Sequence, residues 1–210
     1  MLNLNIDTFI INFDKGLRTL FAKAQTARPL PGEDLPEQEL TDAEKRLAGA
    51  LMRINHSGEI CAQALYQGQA LTARDPQTQK ALEQAAAEET EHLAWCESRI
   101  QALGTHKSFL NPLWYTGSLA IGALAGALGD KWSLGFLAET EHQVGAHLEG
   151  HLQRLPQHDE KSHAILVQMR EDEAKHATTA LQHGGAALPM PVKQAMKLNS
   201  KIMTTVAYWV

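Results

Sequence analysis

The chain has 210 residues and a formal net charge of −5, and 44% of its residues are hydrophobic while 6% are aromatic. This length is sufficient for a domain with its own core. The acidic balance argues against nucleic-acid binding, which relies on an excess of basic groups. Cys61 and Cys96 are the two cysteines, too few for a disulfide-stabilised scaffold and predicted to be reduced thiols. Abundant alanine and leucine favour an all-α fold.

Residues 1–40 are predicted to form an amphipathic helix followed by a proline-rich linker. Between about residues 6 and 24, Phe9, Phe13 and Leu17 recur at helical spacing, with Lys15 and Arg18 on another side. Prolines at 29, 31 and 36 then disfavour regular structure. The N-terminus lacks a basic start followed by an apolar run, so no secretion signal is predicted.

Four long helices are predicted within residues 41–185. Thr41 and Glu44 form a capping box that starts the first helix. This helix is expected to reach about residue 74, the second to span about 75–103, the third about 131–155 and the fourth about 159–182. The order of these helices predicts two helical hairpins that associate into a four-helix bundle.

Each hairpin supplies one glutamate and one Glu-x-x-His sequence. The six residues are Glu59, Glu89, His92, Glu141, Glu173 and His176. Residues three apart on a helix share a face, so the glutamate and histidine of one motif can hold the same ion. Ferritin-like bundles hold two iron or manganese ions with this set. A single buried glutamate would be an ordinary core carboxylate, but six residues in this order predict a two-metal site.

A third Glu-x-x-His, from Glu139 to His142, overlaps this set. Glu141 lies in an apolar stripe with Leu137 and Leu148, whereas Glu139 and His142 fall on the opposite, polar side. Helical phase therefore predicts that Glu141 is the ligand and that Glu139 and His142 form a solvated pair.

The remaining histidines are not assigned to the site. His147 and His151 are four apart and could bind zinc, but no third ligand is evident, so they are predicted to be solvated. Surface or cap positions are predicted for His56, His158, His163 and His183.

A site of four carboxylates and two imidazoles is a hard donor set, which suits iron or manganese better than copper. Two glutamates are expected to bridge the ions and two to cap them, with one histidine for each ion. Positions left open by the protein could accept dioxygen, which favours iron.

Two further segments suggest contact with lipid. Residues 108–129 carry no charge, and this apolar crossover (about 105–130) is too short and too rich in glycine for a confident membrane span. Residues 186–210 are predicted to form a basic amphipathic helix with Lys193, Lys197, Lys201 and Trp209. Such a helix can lie on an anionic membrane surface, although packing against the bundle is the alternative.

The residues around the motifs resemble the demethoxyubiquinone hydroxylases, membrane-bound diiron monooxygenases of ubiquinone synthesis. The resemblance covers about residues 47–185 and rests on Asn55-His-Ser-Gly-Glu59, Glu88-Glu-Thr-Glu-His92 and Arg170-Glu-Asp-Glu-Ala-Lys-His176. It implies two iron ions per chain, with Glu59, Glu89, His92, Glu141, Glu173 and His176 as ligands.

The same resemblance implies O2-dependent hydroxylation of a polyprenyl methoxy-benzoquinol ring. Electrons would come from NADH or from the quinol itself. A peripheral location on the cytoplasmic side of a bacterial inner membrane is expected, and a homo-oligomer is compatible with the sequence.

Two alternatives remain open at this point. One is a ferritin- or rubrerythrin-like protein that oxidises iron or removes peroxide without an organic substrate, although a rubredoxin-type Cys-x-x-Cys is absent from the sequence. The other is a lipid-binding helical bundle with a vestigial site.

Overall fold

The computed structural model describes residues 6–210, and these residues form seven helices and no strand. The helices are α1 (Ile6–Phe21), α2 (Asp42–Thr72), α3 (Pro76–Ala102), α4 (Asn111–Ala127), α5 (Asp130–Leu152), α6 (Glu160–Gln182) and α7 (Met190–Ala207). Two hairpins, α2–α3 and α5–α6, pack together through α2 with α5 and α3 with α6. The predicted all-α, ferritin-like bundle is therefore confirmed, with the helix ends within a few residues of their expected positions.

Local capping fixes where the bundle helices begin. The Thr41 side chain accepts a hydrogen bond from the Glu44 backbone N–H, and the Glu44 carboxylate accepts one from the Thr41 N–H at 2.9 Å. The Asp75 and Asp159 side chains each accept a hydrogen bond from a backbone N–H, of Thr78 and Ser162 respectively, at the starts of α3 and α6. Each cap satisfies a backbone donor that the first helical turn leaves free. The capping box predicted from the sequence is thus present.

Two apolar clusters fill the bundle and leave a polar layer between them. The first apolar cluster includes Leu51, Met52, Trp95, Leu148, Leu166 and Met169. The second apolar cluster includes Tyr66, Leu82, Leu137 and Ala180. On every bundle helix, the predicted metal ligands lie between a residue of the first cluster and a residue of the second. The core is therefore layered along the bundle axis, with the polar residues in the middle layer.

The other three helices, α1, α4 and α7, all pack against α2. The apolar crossover forms α4, whose glycines allow it to approach α2 closely. A Cβ atom added to Gly122 would lie 2.1 Å from the Leu65 carbonyl oxygen, and one added to Gly126 would lie 2.1 Å from Thr72 Oγ1. These glycines therefore serve helix packing. Within residues 6–210, no helix has both the length and the apolar character needed to cross a bilayer.

The close α2–α4 contact predicts opposite effects of two alanine substitutions in α4. Gly122→Ala should destabilise the fold by about 1–3 kcal/mol, because the new methyl group meets the α2 backbone. At Gly117 an added Cβ meets no described atom within 4 Å, so Gly117→Ala should be neutral or stabilising by up to about 1 kcal/mol through helix propensity. Urea unfolding of both variants tests this, and equal stabilities would contradict it.

Candidate metal centre

All six predicted ligands lie in the polar layer between the two apolar clusters. Glu59 comes from α2, Glu89 and His92 from α3, Glu141 from α5, and Glu173 and His176 from α6. Every one of these side chains is buried, and Glu173 is only 1% exposed. Helical phase explains the convergence, because each residue lies on the core-facing side of its helix. The structure thus brings the whole predicted set together.

The six side chains form two overlapping groups that could each hold an ion. The His92 site consists of Glu59, Glu89, His92 and Glu173, and the His176 site consists of Glu89, Glu141, Glu173 and His176. In each group, one ligand atom per residue lies within 4.8 Å of all the others. Glu89 and Glu173 belong to both sites, so both sites would share them if two ions were bound. Glu59 and Glu141 each belong to one site, in the manner of capping ligands.

The structure also distinguishes Glu141 from Glu139. Glu141 is buried in the cluster and accepts a hydrogen bond from the Tyr66 hydroxyl at 2.5 Å. Glu139 lies outside it and forms an ion pair with Lys193 of α7 at 2.6 Å. His142 is exposed, as predicted, but Glu139 is mostly covered by this contact, which corrects the expectation of a solvated pair.

Each imidazole of the cluster directs Nδ1 toward the carboxylates. His92 Nδ1 lies 2.9 Å from Glu89 and 3.3 Å from Glu173. His176 Nδ1 lies 3.4 Å from each of the same two glutamates. A neutral imidazole with a free Nδ1 lone pair can bind a metal ion there, provided that Nε2 carries the proton.

The Nε2 atom of each imidazole contacts an acidic residue of the other hairpin. Asp172 of α6 faces His92 of α3 at 3.2 Å, and Glu88 of α3 faces His176 of α6 at 2.5 Å. Each acid immediately precedes one of the shared glutamates. Carboxylates that accept the second imidazole N–H typically orient metal-binding histidines.

Sequence reasoning did not assign a role to Glu88 or Asp172. The sequence feature that could have indicated them is that each precedes a predicted ligand, in the acidic pairs Glu88-Glu89 and Asp172-Glu173. Two adjacent helix positions point about 100° apart, so the second acid of each pair enters the core while the first can reach the neighbouring helix.

Burial and mutual repulsion govern the electrostatics of the cluster. Burial, together with the neighbouring carboxylates, raises the pKa of Glu59 and of Glu141 well above the ordinary range. Burial would also raise the pKa of Glu89, but His92 and His176 outweigh it and lower that pKa. Burial would lower the pKa of His92, yet the surrounding carboxylates raise it. Four carboxylates thus outnumber two imidazoles in a buried space, and either protons or bound cations would compensate the difference.

The unsatisfied atoms of the cluster fit a metal centre. Both carboxylate oxygens of Glu173, Glu89 Oε1 and His176 Nδ1 are buried without a hydrogen-bond partner within the described part of the chain. Buried polar atoms normally have partners, so each such atom needs an explanation. Divalent ions coordinated by these oxygens and nitrogens would satisfy all of them.

Several predictions about the other histidines were wrong. His56 and His151 are buried, and His151 Nδ1 lies 2.8 Å from Asn55 Oδ1 of α2. Burial lowers the pKa of His147 to about 4 and that of His151 to about 3, so neither is a solvated residue. His158 and His183 are exposed as predicted, and His163 is half-buried.

A cleft of about 380 Å³ reaches the outer side of the His176 site. Its inner end includes Glu88 and His176, and its rim carries Lys80, Lys175 and His183. Small polar molecules could therefore approach this side of the cluster from solvent.

Comparison with known proteins gives consistent matches over the whole chain. A family model described as the ubiquinone biosynthesis protein COQ7 matches residues 46–207. The 3-demethoxyubiquinol 3-hydroxylase of Nitrosomonas europaea is 67% identical over 207 residues, covering 99% of this chain and 100% of that protein. The protein of the same name from Nitrosospira multiformis is 67% identical over 206 residues, covering 98% and 99% of the two chains. The chain is thus similar to these hydroxylases over nearly its full length.

The overlap of the two sites predicts different stoichiometries for ligand variants. Glu59→Gln or Glu141→Gln should each leave one tight Co²⁺ site per chain, because the other group of four ligands stays intact. Glu89→Gln or Glu173→Gln should weaken both sites, since these residues are shared. Glu139→Gln serves as the control and should bind two ions like the wild type. Cobalt titration monitored by visible absorption measures the number bound, and identical stoichiometry in all five variants would refute the assignment.

Proposed function

The chain belongs to the family of the ubiquinone biosynthesis protein COQ7, and from this premise we propose that it hydroxylates the ring of a demethoxyubiquinol. The substrate would be a 2-polyprenyl-3-methyl-6-methoxy-1,4-benzoquinol. One oxygen atom of O2 enters a ring C–H bond to give C–OH, and the other leaves as water. Two electrons and two protons complete the balance. NADH and the quinol itself are the candidate electron donors.

The observation that carries the proposal is the pair of shared, buried carboxylates between two complete sites. Glu89 and Glu173 are available to two ions at once, while each ion keeps its own glutamate and histidine. This hard donor set suits iron. Structural zinc is usually held in a closed tetrahedron by four ligands, so carboxylates shared between two ions are not expected at such a site. A pair of ferrous ions held there would supply dioxygen activation.

The remaining side chains of the centre would orient the ligands and exclude water. Asp172 and Glu88 hold the Nε2 atoms, so that both Nδ1 atoms face inward. The Tyr66 hydroxyl holds the Glu141 carboxylate from the side of the second apolar cluster. The two apolar clusters on either side of the polar layer would limit the access of solvent along the bundle axis.

We further propose that the lipid-soluble substrate arrives from a membrane surface to which the protein binds peripherally. Large apolar side chains are exposed on α1, α4 and α7, among them Phe9 at 64%, Leu124 at 70% and Leu198 at 62%, and Trp209 is exposed just after the end of α7. Isolated exposed apolar residues are common, but a concentration on three helices that all pack against α2 is typical of an interaction surface. Lys197 and Lys201 are also exposed on α7 and would favour anionic lipid.

Loss of a shared ligand should abolish hydroxylation in cells. A strain lacking the protein and expressing Glu173→Gln should accumulate demethoxyubiquinone, with at least about a hundredfold less ubiquinone than the wild type. The Glu139→Gln strain is the matched control and should make normal ubiquinone. Extraction of quinones and iron analysis of the purified proteins provide the measurements.

Full ubiquinone production by the Glu173→Gln strain would rule out the proposed reaction. Two bound irons in the wild type, together with unchanged quinones in cells lacking the protein, would instead favour iron oxidation or peroxide removal. The absence of bound metal in the wild type would favour a lipid-binding bundle.

The apolar surface of α1 predicts weaker membrane binding when it is made polar. Phe9→Ser combined with Phe13→Ser should reduce binding to vesicles that contain anionic lipid by about tenfold or more, because burying one such side chain contributes about 1.5–3 kcal/mol. Leu181→Ser, at an exposed apolar residue of α6, is the control and should bind normally. Vesicle co-sedimentation measures the difference, and equal binding of both variants would exclude α1 from the interaction.

A further inference from the structure

The segment between α1 and α2 is fixed to the bundle beside the His92 site. The carboxylate of Glu91, on α3, accepts hydrogen bonds from the Ala27 and Arg28 backbone N–H groups at 3.1 and 3.3 Å. The Thr26 hydroxyl also donates to Glu91. One acidic side chain therefore holds three consecutive residues of a segment that its prolines would otherwise leave irregular.

This anchoring places the Arg28 side chain between α3 and α6. Its guanidinium lies over the Trp95 ring, 4.7 Å from the ring centroid. Arg28 Nη1 also donates to Asp172 Oδ2 at 2.7 Å. Trp95 in turn packs against His92, with ring centroids 5.3 Å apart. Arg28 thus touches both residues that flank the outer side of the His92 imidazole.

Asp172 Oδ2 is shared between Arg28 and His92. The same oxygen lies 2.7 Å from Arg28 Nη1 and 3.2 Å from His92 Nε2, and the Asp172 side chain is only 8% exposed. Its other oxygen accepts from Gln168 and Lys175. The carboxylate is therefore held in one orientation, and that orientation directs His92 Nδ1 toward Glu89 and Glu173.

The equivalent position in the His176 site is built differently. Glu88, which holds His176 Nε2, accepts a hydrogen bond from Gln84 of its own helix, and its side chain is 41% exposed. It lies at the solvent cleft. The two imidazoles thus have unequal support, and the more restrained one depends on a residue outside the four bundle helices.

We propose that Arg28 is a positioning residue for the His92 site, acting through Asp172 on the His92 imidazole. This inference rests on the proposed two-metal centre and adds that the two sites differ in how they are held. Removal of Arg28 should weaken metal binding at the His92 site and leave the His176 site unchanged. A residue that merely anchored the segment would affect neither site selectively.

The test uses Co²⁺ alone as the probe, in two backgrounds that each keep one site. Glu141→Gln retains the His92 site, and Glu59→Gln retains the His176 site. Adding Arg28→Met preserves a side chain that can pack on Trp95 but removes the bond to Asp172. In the Glu141→Gln background we expect the Co²⁺ affinity to fall about 10–100-fold, which is typical when a metal-binding histidine loses support from its hydrogen-bond partner. In the Glu59→Gln background the affinity should stay constant.

Three further variants separate positioning from general structure. Arg18→Met removes an exposed arginine that pairs with Asp14 on α1 and should change neither background. Asp172→Asn should reproduce the selective effect. Arg28→Lys should restore part of the affinity, because lysine keeps the charge but lacks the planar fork of arginine. Circular dichroism confirms that each variant remains helical.

Equal weakening in both backgrounds, or no weakening in either, would overturn the role of Arg28 while leaving the two-metal centre intact. A wild-type protein that bound no Co²⁺ would overturn the centre itself and the inference with it. Two bound ions in the wild type without hydroxylation in cells would contradict only the proposed reaction, since the selective effect of Arg28 on affinity would still be observed.

Discussion

Four carboxylates buried within one helical core impose the constraint to which the rest of the structure responds. Removing an ionised carboxylate from water costs several kcal/mol, and like charges at short range add repulsion. The bundle offsets this cost locally with two imidazoles and the Tyr66 hydroxyl. The excess of negative charge and the unpaired oxygens that remain are what two divalent ions would compensate. The polar layer is thus costly without metal and stabilising with it.

The helix α2 connects this centre to the outer surface of the protein. It supplies Glu59 and also forms the base on which α1, α4 and α7 pack. The α4 contact is the closest, because Gly122 and Gly126 bring the two backbones together. The apolar surfaces proposed to meet lipid are therefore separated from a metal ligand by a single helix.

Patterns within single helices were sufficient to predict the bundle and its six central residues. The capping box at Thr41 gave the start of α2, and the apolar phase of α5 selected Glu141 over Glu139. Both are local properties of a helix, governed by hydrogen bonding at its end and by the side that faces the core. The donor set already favoured iron, and the family resemblance supplied what the pattern alone did not, namely the reaction.

Contacts between distant segments were not predictable in the same way. The buried His151 donates a hydrogen bond from Nδ1 to Asn55 Oδ1, 96 residues earlier in the chain, and no spacing rule connects the two. Arg28 lies in a segment whose prolines indicate a simple linker, and its partners Trp95 and Asp172 belong to different helices. Glu88 and Asp172 show in sequence only as the first acids of two doubled pairs. Their function depends on how the hairpins face each other, which periodicity does not report.

The crossed pairing of Glu88 with His176 and of Asp172 with His92 has a consequence for assembly. Neither hairpin contains both a metal-binding histidine and the acid that holds it, so an isolated hairpin would leave its imidazole free to rotate. The two histidines acquire their orientation only when the hairpins dock. Metal binding would therefore favour the docked state and shift the folding equilibrium toward it, as any ligand specific to the native form does. The ions would stabilise the association of the two hairpins, and the chain would retain them only while the hairpins remain docked.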